Sequence, residues 1–91
     1  MDWNSHKKLL LKDPGFRKAL EENRPEYEIA RAMIMARIKN KMTQKELARR
    51  LKTKQSVISR VENAQTTPTV SFLRRFARAF GATLKIDFEG I

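Results

Sequence analysis

Apolar residues recur at helical spacing along most of the chain and alternate with polar ones only near its end. Leu9, Leu10 and Leu11 mark a short first helix that Asp13-Pro14-Gly15 interrupts. Asp13 suits the start of a second helix, because its carboxylate can accept from free first-turn amides and Pro14 fits the first helical position. Phe16 and Leu20, four apart, share a face of this helix, which frays before Pro25. Arg24-Pro25 opens a longer third helix, with Glu26 and Glu28 at its positive end and Ala30, Met33, Ile34 and Ile38 on the helical repeat as far as Asn40.

Thr43-Gln44-Lys45-Glu46 is a capping box: the threonine hydroxyl accepts from the Glu46 amide and the glutamate reaches back to the cap. It opens a short helix with Leu47, Ala48 and Leu51 inward. Lys52-Thr53 turns the chain into a second short helix ending near Asn63, with Ile58 and Val61 buried. Gln65-Thr66-Thr67-Pro68 is a loop. Thr69 or Ser71 then caps a helix to Phe80, with Val70, Leu73, Phe76, Ala77 and Phe80 inward and Gly81 as a left-handed stop. Leu84, Ile86 and Phe88 alternate with polar residues, which is strand patterning. A lone strand leaves its backbone groups unpaired, so the simplest arrangement pairs it with the same strand of a second copy in a homodimer. A docked or disordered tail is the alternative. The expected organisation is therefore a helical arm over residues 1–24, a compact domain over 25–81 and a dimerisation strand over 82–91.

Charge changes the picture because it is local. The 91 residues carry a formal net charge of +10. Residues 1–28 hold six basic and six acidic side chains, whereas residues 29–80 hold thirteen basic ones against Glu46 and Glu62. Solubility alone favours mixed signs, while a clustered positive field rewards a polyanion that releases counterions on binding. An anionic membrane would want one basic amphipathic helix with a broad apolar face, and here the charges are spread over several short elements. Nucleic acid is the expected partner.

Absences remove other classes. The chain has no cysteine, and its one histidine, His6, lies among polar residues near the amino end, where a solvated surface role is expected; no metal site or cofactor follows. The start lacks a signal peptide's apolar run and no apolar stretch spans a membrane, so a soluble cytoplasmic protein is expected. A small basic ribonuclease would need a sheet bearing Arg, Lys and Tyr or His, and the chain offers one strand, His6 and Tyr27; no enzyme is expected.

Two short helices joined by a tight turn, the second rich in small polar residues with basic neighbours, describe a helix-turn-helix. Met42-Thr43-Gln44-Lys45-Glu46-Leu47-Ala48, Leu51 and Gln55-Ser56-Val57-Ile58-Ser59-Arg60-Val61-Glu62-Asn63 resemble the Cro/C1-type helix-turn-helix of phage repressors and XRE-family regulators. Pro68, Leu73, Ala77 and Gly81 are similar to that family's closing helix. The resemblance covers about residues 29–82 and implies an all-α, lambda-repressor-like bundle. Lys52 and Ala64 stand where the family often has glycine, which puts the turn shape and the angle of the second helix in question.

Gln55, Ser56, Ser59 and Arg60 lie at or one turn from the exposed start of the second helix, where Gln can pair with adenine and Arg with guanine edges. The resemblance places Gln55, Ser56 and Arg60 at base-reading positions and Gln44, Thr53 and Asn63 at phosphate-holding ones; Lys54 is a phosphate contact by charge and position. Val57 either meets a thymine methyl or is partly buried. The resemblance also makes Arg37 and Glu62 an ion pair between the long helix and the reading helix; Arg37 as a phosphate ligand is the competing reading.

The arm, through Leu10-Leu11-Lys12-Asp13-Pro14-Gly15-Phe16-Arg17 and Pro25-Glu26-Tyr27-Glu28, resembles that of HigA-type antitoxins. In that family one short chain represses its own operon and binds a small basic toxin of the RelE-like ribonuclease fold. The resemblance implies a dimeric repressor on a palindromic double-stranded DNA operator, with Phe16, Leu20, Glu21 and Glu22 meeting a RelE/HigB-like toxin. Two other readings compete: the arm's apolar residues extend the protein's own core, and the chain is a stand-alone phage-like regulator without a toxin.

Overall fold

The computed structural model describes residues 2–22 and 24–91; Met1 and Asn23, both inside the expected arm, lie outside the described residues. Among the described residues six α-helices are present: α1 (Trp3–Leu10), α2 (Pro14–Glu21), α3 (Pro25–Lys39), α4 (Gln44–Leu51), α5 (Gln55–Glu62) and α6 (Val70–Ala79). The helix starts follow the side-chain chemistry. The Asp2 and Asp13 carboxylates accept from the Ser5 and Phe16 amides at 2.8 and 2.9 Å. The Thr43–Glu46 capping box forms in both directions, at 3.0 and 3.1 Å, and Thr69, not Ser71, caps α6.

Helices α3 to α6 all end alike. Lys41, Lys52, Ala64 and Gly81 are left-handed, with φ of 55°, 55°, 58° and 66°. The amide of each following residue returns to the last turn: Met42 to Arg37, Thr53 to Ala48, Gln65 to Arg60 and Ala82 to Ala77, at 2.8 to 3.0 Å. Lys52 and Ala64 thus take the conformation that glycine would supply, and the substitution alters cost, not turn shape.

Two apolar clusters pack against adjoining stripes of α3. Met33 packs with Leu47, Ala48, Leu51, Ile58 and Val61, joined by Ile29, Met42, Phe72, Phe76, Ala79 and Phe80. Along the other stripe, Phe16, Ala19, Tyr27 and Ala30 pack with Trp3, Leu10, Leu11, Leu20 and Ala64. The rings of Phe16 and Tyr27 meet edge to face at 5.6 Å. Ala30 and Met33, which share one periodic pattern in the sequence, therefore serve different cores.

Two expectations need correction. In α6, Phe76 and Phe80 face the core together with Phe72 and Ala79, but Val70 is 50% exposed. At 3.6 residues per turn, Val70 and Ala77 form a second apolar stripe about 120° from the first, with Leu73 between them. Among the described residues no strand is present: residues 82–88 have no regular secondary structure, as expected for a single chain that offers no ladder partner. Leu84 is half-buried, and Ile86 and Phe88 are 60% and 72% exposed.

Candidate nucleic-acid interface

α5 is divided lengthwise by polarity. Plotted at 3.6 residues per turn, Gln55, Ser59, Asn63, Ser56 and Arg60 fall within an arc of about 140°, while Val61, Ile58 and Glu62 fill a separate arc of about 100°, with Glu62 at its edge beside Gln55. Gln55, Ser56 and Arg60 are exposed and Ser59 and Asn63 half-buried; Ile58, Val61 and Glu62 are buried. Val57 sits on the boundary, half-buried. The structure thus brings all four expected base readers to one outward face. Lys54, exposed, occupies the cap position of α5 and supplies no side-chain cap, so among the described residues the amides of Gln55 and Ser56 have no side-chain acceptor. Free amides at a helix start and an exposed ammonium beside them suit a phosphate oxygen.

The polar face is held outward by a buried charge network. Glu62 is 0% exposed, and its carboxylate accepts from Arg37 Nε and Nη2 at 2.8 and 2.9 Å. Arg37 Nη1 donates to the Met42 carbonyl at 3.0 Å, so all three guanidinium nitrogens are engaged inside the protein. Gln44 Nε2 donates to the same carboxylate at 3.0 Å. Arg37 and Glu62 therefore form a brace joining α3, the α3–α4 turn, the start of α4 and the end of α5. Gln44, expected at a phosphate, is tied to this brace through one amide hydrogen and retains a second. Thr53 is half-buried in the α4–α5 turn.

Some contributors carry no local sequence signal. Arg50 on α4 donates to the Ala79 carbonyl at the end of α6 at 3.2 Å, and Arg75 on α6 donates to the Leu51 carbonyl at the end of α4. Each arginine thus satisfies the other helix's orphan carbonyls. Arg31 lies over the Trp3 ring at 6.0 Å. His6 is half-buried; burial first, then Arg37, holds its imidazole below the ordinary value, while Glu62 works against that. It belongs to the surroundings of the brace, not to the solvated surface expected for it. Glu46 titrates below the usual carboxylate range because the Thr43 amide and hydroxyl hydrogen-bond its ionised form.

In the arm, Phe16 is fully buried and Leu20 half-buried, whereas Glu21 and Glu22 are exposed. Phe16 belongs to the protein's own packing, and of the exposed acidic pair Glu22 is already ion-paired with Arg24. Among the described residues no helix is long and apolar enough to cross a membrane, and no group of three or more His, Asp or Glu side chains could hold a metal ion.

A polar outward face on α5, open amides at its start and a buried brace behind it define a helix-turn-helix module. The family comparison agrees: residues 33–86 match the helix-turn-helix family, and the chain belongs to it. Among curated proteins it is similar to Antitoxin HigA1 of Mycobacterium tuberculosis, strains CDC 1551 / Oshkosh and ATCC 25618 / H37Rv, with 32% identity over 77 residues. That alignment covers 85% of this chain and 52% of the relatives, so the chain spans about half the length of the curated relatives it matches. No solved structure matches.

Proposed function

We propose that this protein is a dimeric, sequence-specific DNA-binding repressor that serves as the antitoxin of a type II toxin–antitoxin system. α5 reads a palindromic operator through Gln55, Ser56, Ser59 and Arg60, with Lys54, Thr53, Asn63 and the free hydrogen of Gln44 on phosphates. The carrying observation is the division of α5 into an exposed polar arc and a buried side anchored by Glu62. The helix-turn-helix match and the similarity to proteins named as antitoxins support the same direction. The partner is a basic RelE/HigB-like mRNA-cleaving toxin, met by Glu21 and Glu22 at the rim of Leu20, with Phe16 holding α2 in place. Through the operator the protein represses its own operon, in the cytoplasm and without catalysis.

The dimer forms through Leu84, Ile86 and Phe88; Leu84 is half-buried, and the exposure of Ile86 and Phe88 leaves an apolar edge uncovered in one chain. Footprinting upstream of the gene, with and without the product of the neighbouring gene, tests the whole reading. Protection of an inverted repeat and co-purification of a basic partner are expected. Equal retention on random duplex would refute operator recognition. Partner capture that survives Glu21→Lys/Glu22→Lys would remove the acidic pair from the contact. Light scattering of a chain lacking residues 83–91 tests the dimer, and a truncated protein still dimeric at micromolar concentration refutes it. The second reading, a stand-alone regulator, is favoured by one observation: Phe16 and Ala19 are spent on the protein's own core. It predicts operator protection with no co-purifying toxin.

A further inference from the structure

Of the exposed large apolar side chains, Leu9 and Met35 stand on α1 and α3, and the others belong to α6 and the C-terminal segment. Val70 on the outer stripe of α6 and Ile86, Phe88 and Ile91 in the C-terminal segment are all exposed. Val70, Ala77, Leu84 and Ile86, rimmed by Arg74 and Arg78, line an open cleft of about 530 Å³. Apolar side chains gathered in a cleft with a basic rim suit a surface that a partner covers. The backbone of 82–88 forms no ladder, and the Phe88 amide is satisfied only by the Asp87 side chain at 2.8 Å. Among the described residues the ion pairs are Arg24–Glu22 and Arg37–Glu62, so Lys85, Asp87 and Glu89 are in none.

We propose that a second copy covers this surface by antiparallel pairing of residues 83–89, with Ile86 on the two-fold axis. The proposal rests on the dimer reading above and fixes its register. Directly opposed residues of an antiparallel pair point to the same face, so keeping Leu84, Ile86 and Phe88 of both copies on the face over α6 requires the axis to pass through a residue. The charges then select which one. An axis at Lys85 sets lysine against lysine, one at Asp87 sets aspartate against aspartate, and one at Phe88 sets Asp87 against Glu89. An axis at Leu84 opposes Phe88 to Phe80, which caps α6 and lies in the core.

With the axis at Ile86, Lys85 of each copy faces Asp87 of the other, Leu84 faces Phe88, Thr83 faces Glu89, and Ile86 meets its own copy. No like charges oppose, and the apolar face is complete. The ribbon's apolar side then closes over Val70 and Ala77 of both copies.

The absence of cysteine makes the register directly measurable, since any introduced thiol is the only one in the chain. Opposed strand residues have Cα atoms about 4.5 to 5.5 Å apart, within disulfide reach, while a residue one place off the axis lies about 8 Å from its counterpart, beyond it. Full-length Lys85→Cys, Ile86→Cys, Asp87→Cys and Phe88→Cys proteins, oxidised at low micromolar concentration, are resolved without reductant. Covalent dimer at Ile86→Cys, with less than about a tenth as much at the other three, is expected. A maximum at 85, 87 or 88, or equal yields, overturns the register while leaving the dimer standing. No cross-link anywhere, together with a monomeric unmodified chain, overturns both. As a second readout, Lys85→Glu and Asp87→Lys each weaken self-association by about tenfold, and mixing the two variants restores dimers. Mixed variants that stay monomeric overturn the Lys85–Asp87 pairing.

Discussion

Glu62→Ala is the most demanding single perturbation of the reading helix. Its carboxylate takes three hydrogen bonds, two from Arg37 and one from Gln44, at full burial. Alanine strands a guanidinium that is 8% exposed and keeps only the Met42 carbonyl as partner. Removing one member of such a pair costs about 3 to 5 kcal/mol, because the remaining charge stays desolvated without compensation. Small domains have about 5 to 15 kcal/mol in total, and this one, built around two small clusters, has little reserve. With about 4 to 8 °C per kcal/mol for a domain of this size, the melting temperature falls by about 12 to 40 °C. Circular dichroism melts of both proteins under one buffer measure it. A control separates the brace from a DNA role: Arg37→Met/Glu62→Leu removes both charges, recovers most of the stability and keeps operator affinity if Arg37 never touches phosphate. A drop below about 4 °C in Glu62→Ala would refute the burial argument.

Other predictions follow from the same geometry. Arg60→Ala narrows the gap between cognate and random duplex by about 1 to 3 kcal/mol, whereas Lys54→Ala weakens both alike; fluorescence anisotropy on the two duplexes separates them. Lys52→Gly and Ala64→Gly, at left-handed positions, each stabilise by about 1 kcal/mol, visible as a rise in melting temperature; a fall in either contradicts the turn geometry. The lowered pKa of His6 means that the unfolded chain binds its proton more readily. Its contribution to stability is present above about pH 6.5 and is lost as pH falls through the lower folded value. His6→Asn therefore gains on the unmodified protein as pH drops below 6.5, and parallel melting curves would contradict this.

Much of the fold was legible because it depends on local chemistry. The Asp13 cap with Pro14, the Thr43–Glu46 box and the Gly81 stop are interactions over two to four residues, and each formed as expected. That Gln55, Ser56, Ser59 and Arg60 share one outward side of α5 was legible for the same reason, since a helix of known start fixes which side chains share a side. What escaped depends on tertiary placement. Periodicity located the apolar positions of α6 but could not assign Val70 and Phe76 to different sides, because Phe72 and Phe80 compete for the inward arc. The Arg50–Ala79 and Arg75–Leu51 contacts span 29 and 24 residues and have no local signature. Lys41 was missed as a left-handed residue because its side chain gives no hint of it. Phe16 illustrates an ambiguity of chemistry: an aromatic residue in an arm suits a partner or a core equally, and burial decides.

The basic excess that pointed to nucleic acid also overstates the DNA surface. Of the thirteen basic residues between 29 and 80, Arg37 is sealed in the brace, Arg50 and Arg75 satisfy helix carbonyls and Arg31 lies over Trp3. Arg74 and Arg78 rim the cleft beside the C-terminal segment. Arg49 stands on α4, and Lys39, Lys41, Lys45, Lys52, Lys54 and Arg60 flank the starts of α4 and α5 in the chain or stand on the polar face of α5, six candidates per copy. If each of the six neutralises one phosphate, a dimer contacts about twelve, and the logarithm of affinity falls against the logarithm of salt with a slope of about −11. Were the whole excess engaged, the slope would exceed about −18 in magnitude. A titration of operator affinity between low and moderate salt separates the two, and a value near the larger figure would place the arginines of α6 on DNA. A slope near zero would dissolve the nucleic-acid reading itself, because no arrangement of contacts on a duplex avoids counterion release.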